Sequence, residues 1–125
     1  MTSTGSILSM VESYLKLATT REQVISANMA NIDTPGYHSR DIDFQHELSR
    51  ALDTPLMKTG DVSGTVRLLP VIRQVPGLME RPDGNNVNLD REGLLLAETQ
   101  LQYELGIQLI KTKFHQQLNA INGGS

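Results

Sequence analysis

Apolar residues recur along the first part of the chain with the period of an α-helix. From Ile7 onward they follow alternating steps of four and three residues, and the polar residues Arg21 and Asn28 occupy two positions of the same row. This spacing places side chains on one face of a helix that can pack against another helix. The pattern predicts a helix over about residues 6 to 31. The helix must end soon afterwards, because Pro35 drives the preceding Thr34 towards extended geometry.

The C-terminal part of the chain repeats this pattern. Positions at steps of three and four from Leu96 to Ile121 are apolar in six of eight cases, the exceptions being Gln100 and Gln117. Asn88 is a suitable N-cap for the helix that this row predicts. Gly123 is placed to end it. A helix of this extent is about 50 Å long, which is typical of a coiled coil. Three further leucines are expected to broaden the same face: Leu94, Leu101 and Leu105.

The middle of the chain has no comparable periodicity. A short helix is predicted over residues 45 to 52, and residues 65 to 75 resemble a strand interrupted by Pro70. The fold class is therefore mainly α, with long N- and C-terminal helices that pair as a coiled coil and a small irregular or β-containing middle segment.

This pattern divides the chain into three parts. An N-terminal assembly helix and turn occupies residues 1–34, an extended segment and irregular middle region occupies residues 35–86, and a C-terminal assembly helix occupies residues 87–125.

Composition narrows the classes of protein that fit. Aromatic residues make up only 4% of the 125 residues, so the chain has few bulky side chains with which to anchor a core. Helices of this kind need a partner surface. The net charge of −3 argues against nucleic-acid binding, and the absence of cysteine excludes disulfides and thiolate metal sites. The N-terminus lacks the basic start and apolar run of a signal peptide, so we expect no cleaved signal.

No arrangement of residues suggests catalysis or a bound cofactor. His38 and His46 lie near two aspartates, but their spacing matches no metal-ligand motif, and a solvated loop is the simpler interpretation. The stretch from Asp83 to Asn86 resembles the start of a calcium loop, yet Val87 stands where the third oxygen ligand belongs. We therefore expect no catalytic, cofactor-binding or metal-binding residues, and no enzyme.

Two glycines and two asparagines have alternative interpretations. Gly93 and Gly106 each cost the predicted C-terminal helix about 1 kcal/mol relative to alanine, so they are either tolerated weaknesses or sites of close helix approach. Asn28 and Asn31 are either solvated amides or, for Asn28 within the apolar row, a residue that fixes helix register. The sequence does not decide between these alternatives.

The turn after the first helix is better defined. Proline at its second position and glycine at its third predict a type II turn over residues 34 to 37, with Gly36 at positive φ. The turn redirects the chain from the helix into the extended segment.

These residues resemble a known family. Residues 27 to 37 read ANMANIDTPGY, which is similar to the N-terminal signature of flagellar rod, hook and hook-associated proteins. Residues 39 to 44 and 84 to 92 resemble one short rod protein of that family in particular, and hook proteins carry large inserted domains that this chain lacks. Two positions depart from the pattern: Gly93 stands in place of a methionine, and His38 in place of a basic residue.

The resemblance implies a structural subunit of the bacterial flagellar basal body, in its proximal rod. Such proteins are exported from the cytoplasm through the flagellar type III export apparatus without a cleaved signal peptide, and they self-assemble helically into a rod that spans the periplasm. The implied partners are other copies of the chain, other rod proteins and the adaptor between rod and membrane ring. The implied role is to link the membrane ring to the distal rod and transmit torque in motility. The alternatives are another short rod protein of the family and a cytoplasmic helical adaptor or binding module.

We expect assembly contacts from the two apolar rows and from the signature. The two apolar rows supply five residues on each helix. The signature, residues 27 to 37, supplies two amides and the four residues of the turn. The candidate assembly residues are Ile7, Val11, Tyr14, Ala18, Ile25, Asn28, Asn31, Thr34, Pro35, Gly36, Tyr37, Leu96, Tyr103, Ile107, Ile110 and Phe114.

Overall fold

Two long helices dominate the computed structural model, which describes residues 4–52 and 69–123. Helix α1 spans Thr4–Ala30 and helix α3 spans Leu89–Gly123. A shorter helix, α2, spans Phe44–Leu52. Strands β1 (Arg40–Asp41) and β2 (Arg73–Gln74) pair antiparallel in a two-stranded sheet. The predicted mainly helical class with a small β-containing middle is thus confirmed.

The boundaries agree with the periodicity to within a few residues. Helix α1 begins slightly earlier than predicted, and α2 begins at Phe44, one residue before the predicted start. The structure differs from the predicted strand over residues 65 to 75, because only two of its described residues, Arg73 and Gln74, form a strand. Residues 65 to 68 lie outside the described part of the chain.

The two long helices lie side by side and antiparallel. Asn28 near the end of α1 contacts Glu92 in the first turn of α3. Towards the start of α1, the side chain of Leu15 lies against Gly106 of α3. Residue numbers therefore fall along α3 as they rise along α1. At 1.5 Å per residue, α1 is about 40 Å long and α3 about 52 Å long, so α3 is the longer partner.

A small apolar core joins α1 to α2. Leu17 and Ala18 of α1 are buried against Ile42 and Phe44. The Phe44 ring meets the ring of Tyr14 edge to face, with centroids 5.3 Å apart. This cluster uses both a phenylalanine and a tyrosine of an aromatic-poor chain, so the few bulky side chains are concentrated where α2 packs.

Two polar contacts fix the middle segment to the helices. Arg21, a polar residue in the apolar row of α1, donates two hydrogen bonds at 3.1 Å to the Asp41 carboxylate in β1. Both side chains are largely buried, and the bidentate geometry compensates their desolvation. On α2, the buried Glu47 carboxylate accepts hydrogen bonds from the Arg50 guanidinium and from the backbone N–H of Val71. The chain is thereby fixed beside α2 where its described part resumes.

Candidate functional site

Asn28 is the centre of a buried polar cluster where α1 ends and α3 begins. Its side-chain nitrogen donates to the Arg40 carbonyl at 2.8 Å and to Glu92 Oε2 at 3.1 Å. Its side-chain oxygen accepts from the Arg40 N–H at 3.0 Å and from the Tyr37 hydroxyl at 3.1 Å. The fully buried amide thus uses all of its donor and acceptor positions. We call this region the joint; it comprises Asn28, Asn31, residues 34–37, residues 83–86 and Glu92.

Glu92 brings the start of α3 into the joint. Its carboxylate is fully buried and accepts hydrogen bonds from Asn28 on one oxygen and from the Arg91 guanidinium, at 3.0 Å, on the other. The first turn of a helix also favours a negative charge, because backbone N–H groups point towards it. These contacts offset the cost of burying the carboxylate, which is high when a charge has no partners.

The other amides close the C-terminal end of α1. The last carbonyls of a helix have no intrahelical donor and need one from elsewhere. Asn31 Nδ2 donates to the Ala27 carbonyl at 2.8 Å. Asn85 Nδ2, from the segment before α3, donates to the carbonyls of Asn31 and Thr34, both at 2.9 Å. Asn31 therefore caps the end of α1, and the turn that follows α1 is bound by a residue that lies close to α3 in sequence.

The turn after α1 has the predicted form. Gly36 has a φ of 75°, and the Tyr37 N–H donates to the Thr34 carbonyl at 3.2 Å. A second turn packs against it: Gly84 has a φ of 84°, and a Cβ atom on that residue would lie 3.3 Å from the Gly36 Cα. The Gly36 N–H also donates to the Asp83 carbonyl at 2.9 Å. The two turns therefore form one unit.

Asn86 connects this unit to the small sheet. Its N–H donates to the Tyr37 carbonyl at 3.2 Å, and its side-chain oxygen accepts from the Ser39 N–H at 2.7 Å. The stretch Asp83 to Asn86, which resembles the start of a calcium loop in sequence, uses the side chains of Asp83, Asn85 and Asn86 for hydrogen bonds to backbone groups. The described residues include no group of three or more potential metal-ligating His, Cys, Asp or Glu side chains.

Sequence reasoning missed the C-terminal half of the joint. It singled out Asn28, Asn31 and the turn, and all of them lie in the joint, with Thr34, Pro35 and Gly36 exposed and Tyr37 half-buried. It did not identify Asn85, Asn86 or Glu92 as their partners. The available signal was a pair of adjacent amides, Asn85 and Asn86, directly after Gly84.

The candidate residues on α1 lie mainly inside the subunit. Val11, Ala18 and Ile25 are buried, and Ile7 and Tyr14 are half-buried. They pack against other parts of the same chain, so the row that the sequence identified forms the intramolecular face of α1. Their part in contacts between subunits stays a prediction.

The candidate residues on α3 divide into two groups. Leu96, Ile107 and Ile110 are half-buried, whereas 39% of Tyr103 and 60% of Phe114 is exposed. The exposed members leave apolar surface uncovered on the subunit. Their assembly role also stays a prediction.

The expectation that three leucines broaden the α1-facing side of α3 is wrong. Leu94, Leu101 and Leu105 are 71%, 68% and 57% exposed. Successive residues turn by about 100° around a helix, so these three positions share a face that points away from buried Thr99 and Gly106. Helix α3 therefore carries apolar side chains on two sides, one towards α1 and one towards the exterior.

The two glycines of α3 have different surroundings. A Cβ atom on Gly106 would lie 2.6 Å from Leu15 Cδ2 and 3.2 Å from Tyr14 Cδ1, so this glycine marks a close approach of α1. A Cβ atom on Gly93 would meet no atom within 4 Å. The close-approach interpretation holds for the first glycine and fails for the second.

No helix within the described residues combines the length and apolarity that a membrane crossing requires. The joint links the end of α1 to the start of α3, and its polar side chains bond with one another and with nearby backbone groups. Its chemistry is that of a structural connection.

Curated proteins from several bacteria are similar to this chain over most of its length. The flagellar basal body rod protein FlgB of Salmonella typhimurium is 32% identical over a 123-residue alignment that covers 89% of each chain. FlgB of Escherichia coli is also 32% identical over 123 residues, again with 89% of each chain covered. FlgB of Cereibacter sphaeroides is 32% identical over 114 residues, covering 87% of this chain and 88% of that relative. No protein-family model matches the chain.

Proposed function

Because the chain belongs to the FlgB family of flagellar basal body rod proteins, we propose that it is a structural subunit of the rod that acts by packing rather than by catalysis. The observation that carries this proposal is the similarity to curated FlgB proteins over about nine tenths of both chains. Assembly with other flagellar rod components follows from that role, and the basal body rod is its location. The relatives favour this function over that of a cytoplasmic helical adaptor.

The architecture supports a subunit whose rigidity comes from the joint. The buried contacts of Asn28, Asn85 and Glu92 link the end of α1 to the start of α3. A rod that carries load needs subunits whose long helices keep a fixed relative angle. The joint supplies that angle with directional hydrogen bonds, which apolar packing alone does not.

Three finer features belong to the same proposal. The subunit occupies the proximal rod, where it links the adaptor of the membrane ring to the next rod proteins and transmits torque. It leaves the cytoplasm through the flagellar type III export apparatus. No signal peptide is cleaved, since cleavage in the second half of α1 would remove Val11 and Ala18, whose side chains are buried in the subunit.

A deletion strain of the source bacterium tests the main proposal. We expect cells without this chain to lack rods in electron micrographs of isolated basal bodies and to lose swimming in soft agar. Wild-type chain should restore both, and so should Gln23→Ala, a matched control on the exposed face of α1. Complete basal bodies in the deletion strain would refute a rod function.

Mass spectrometry of the chain recovered from isolated basal bodies tests the export proposal. We expect peptides that cover α1 from its first residues. A mature N-terminus inside residues 4–30 would contradict export without cleavage while leaving the rod function intact.

A further inference from the structure

Two groups of exposed apolar side chains on α3 differ in position along the helix and in the side that they occupy; Leu89, Tyr103 and Leu109 are exposed outside these groups. The first, the leucine patch, consists of Leu94, Leu101 and Leu105, which are 71%, 68% and 57% exposed. The second, the tail patch, consists of Phe114, Leu118 and Ile121, which are 60%, 40% and 74% exposed. Each patch follows helical spacing, and the two lie on roughly opposite sides of the helix. One helix thus presents two distinct surfaces to other molecules.

The tail patch begins beside the first turns of α1 and continues past them: Phe114 lies opposite about residue 7, and Leu118 and Ile121 lie beyond the residue opposite Thr4. The register that places Asn28 beside Glu92 and Leu15 beside Gly106 places Thr4 opposite about residue 116. The last turns of α3 therefore extend past the first described residue of α1. The tail patch continues the α1-facing side into this extension and is exposed there.

The charges beside the two patches have opposite sign. Between Arg91 and Lys111 the charged residues of α3 are all acidic: Glu92, Glu98 and Glu104. Of these, Glu98 and Glu104 are exposed and flank Leu101 at three residues on either side. Glu98 also lies 3.9 Å from the Arg21 guanidinium of α1, so the charge on this flank that faces away from α1 is that of Glu104.

From residue 111 onward the charged groups of α3 are Lys111 and Lys113, and the helix carries no acidic side chain there. Lys111 is exposed and precedes Phe114 by one turn. The helix dipole acts only within the first and last turns, so it does not account for the mid-helix positions of Glu104 and Lys111.

We propose that the tail patch of one copy packs on the leucine patch of a second copy, an inference that rests on the proposed rod function. Apolar surface covers apolar surface, and Lys111 of one copy comes near the acidic flank of the other. The patches differ and lie on opposite sides of the helix, so the contact is heterologous and leaves a free patch at each end. Such a contact extends into a filament. For parallel copies it displaces neighbouring subunits by about 26 Å along the helix axis.

Cysteine cross-linking in assembled flagella tests this contact, and the absence of natural cysteine makes the background low. The variant carries Leu101→Cys and Leu118→Cys in one chain. These positions are about 26 Å apart in a single helix, too far for a disulfide within the chain, which needs Cα atoms within about 7 Å. After mild oxidation of isolated basal bodies, we expect a ladder of dimers, trimers and larger species of this chain.

The controls separate a heterologous contact from a symmetric one. Each single variant alone should give no cross-linked species, and a cell that produces both single variants together should give dimers only. Dimers from Leu101→Cys alone would show that two leucine patches meet around a two-fold axis and would overturn the proposal. The pair Thr19→Cys with Leu118→Cys, which uses an exposed position on α1, should remain monomeric.

Charge reversal supplies a second measurement that needs no oxidation. Glu104→Lys should reduce the amount of chain in isolated basal bodies, and adding Lys111→Glu in the same chain should restore it. Both residues are exposed, and far-ultraviolet circular dichroism checks that each variant keeps its helices. If the double-cysteine chain supports swimming, is present in isolated basal bodies and gives no cross-link, the proposed contact is refuted. The proposed rod function is unaffected by that result. If no rod depends on the chain, the proposed function itself fails.

Discussion

The two ends of the α1–α3 pair are built from opposite chemistry. At the joint, polar groups are buried, and Asn28, Asn85 and Glu92 have no exposed surface. At the far end, apolar groups are exposed, with 60% of Phe114 and 74% of Ile121 accessible to solvent. Each end reverses the usual distribution of polar and apolar side chains between interior and surface.

The difference separates what the chain completes by itself from what it leaves for neighbours. A buried amide or carboxylate is tolerable only when every partner is in place, and the joint supplies those partners from one chain. Its directional bonds define the angle between the helices. Apolar burial is non-directional and proportional to area, so a neighbouring subunit can supply it at the far end. Polar contacts thus set the geometry of the subunit, and apolar contacts are available for association.

Removal of the central amide gives the largest expected effect. Asn28→Ala leaves the Arg40 peptide groups and one oxygen of the buried Glu92 carboxylate without their partner. Unsatisfied buried polar groups cost about 1–3 kcal/mol each and charged ones more, so we expect a loss of about 3 kcal/mol or more in the free energy of unfolding. Urea denaturation followed by circular dichroism measures it.

Asn119→Ala is the matched control, because Asn119 is exposed on α3. It should change the free energy of unfolding by less than about 0.7 kcal/mol, the propensity difference between the two residues. Equal effects of the two substitutions would show that the joint contributes nothing special to stability.

The packing of the two turns gives the next largest effect. Gly84→Ala must adopt positive φ and also places a Cβ atom 3.3 Å from the Gly36 backbone, which has little freedom to move. We expect a loss of about 2–3 kcal/mol, of which about 1–2 kcal/mol is the left-handed conformation itself. Gly77→Ala isolates that conformational part, since Gly77 has a φ of 79° and open space around its Cα. If both variants lost the same free energy of unfolding, the contact between the two turns would contribute nothing to stability.

The sequence predicts those features of the fold that depend on neighbouring residues. The turn over residues 34 to 37 follows from Pro35 and Gly36 alone, because proline fixes one φ angle and glycine permits the positive one. The extent of the helices follows from periodicity and from their end signals. Each of these features is decided within a few residues of where it appears.

The sequence does not predict the hydrogen-bond partners across the joint, because those partners are distant from one another along the chain. Asn85 lies 54 residues from Asn31, and Glu92 lies 64 residues from Asn28. Periodicity reports which residues share a face of one helix, and it carries no information about which distant amide meets that face. A polar residue in an apolar row signals that a partner exists without identifying it.

A different error placed Leu94, Leu101 and Leu105 on the side of α3 that faces α1. Leu94 lies two residues before Leu96, which amounts to a rotation of about 200° around the helix. Closeness in sequence therefore put on one face residues that point in opposite directions. A helical projection of α3 separates the two faces, yet the sequence alone does not say which face meets α1, because both are apolar.

Alanine substitutions at the two glycines of α3 test where along the helix pair α1 approaches α3 closely. Gly93→Ala meets nothing within 4 Å, so we expect it to raise the free energy of unfolding by about 1 kcal/mol through helix propensity. Gly106→Ala has the same propensity gain, but its Cβ atom must displace Leu15 Cδ2 from 2.6 Å. We expect most of the gain to be lost there. Equal stabilisation at both positions would mean that α1 does not approach α3 closely at Gly106.

The smallest effect on stability is expected at the leucine patch. Leu101→Gln changes a side chain that is 68% exposed, so the free energy of unfolding should change by less than about 0.5 kcal/mol. Leu96→Gln, the same change on the half-buried side facing α1, should cost about 1 kcal/mol or more. Incorporation into basal bodies should show the reverse order, with Leu101→Gln depleted more strongly than its loss of stability explains. A side chain that contributes nothing to the isolated subunit and is nevertheless required in the rod owes its apolar character to a contact with another molecule.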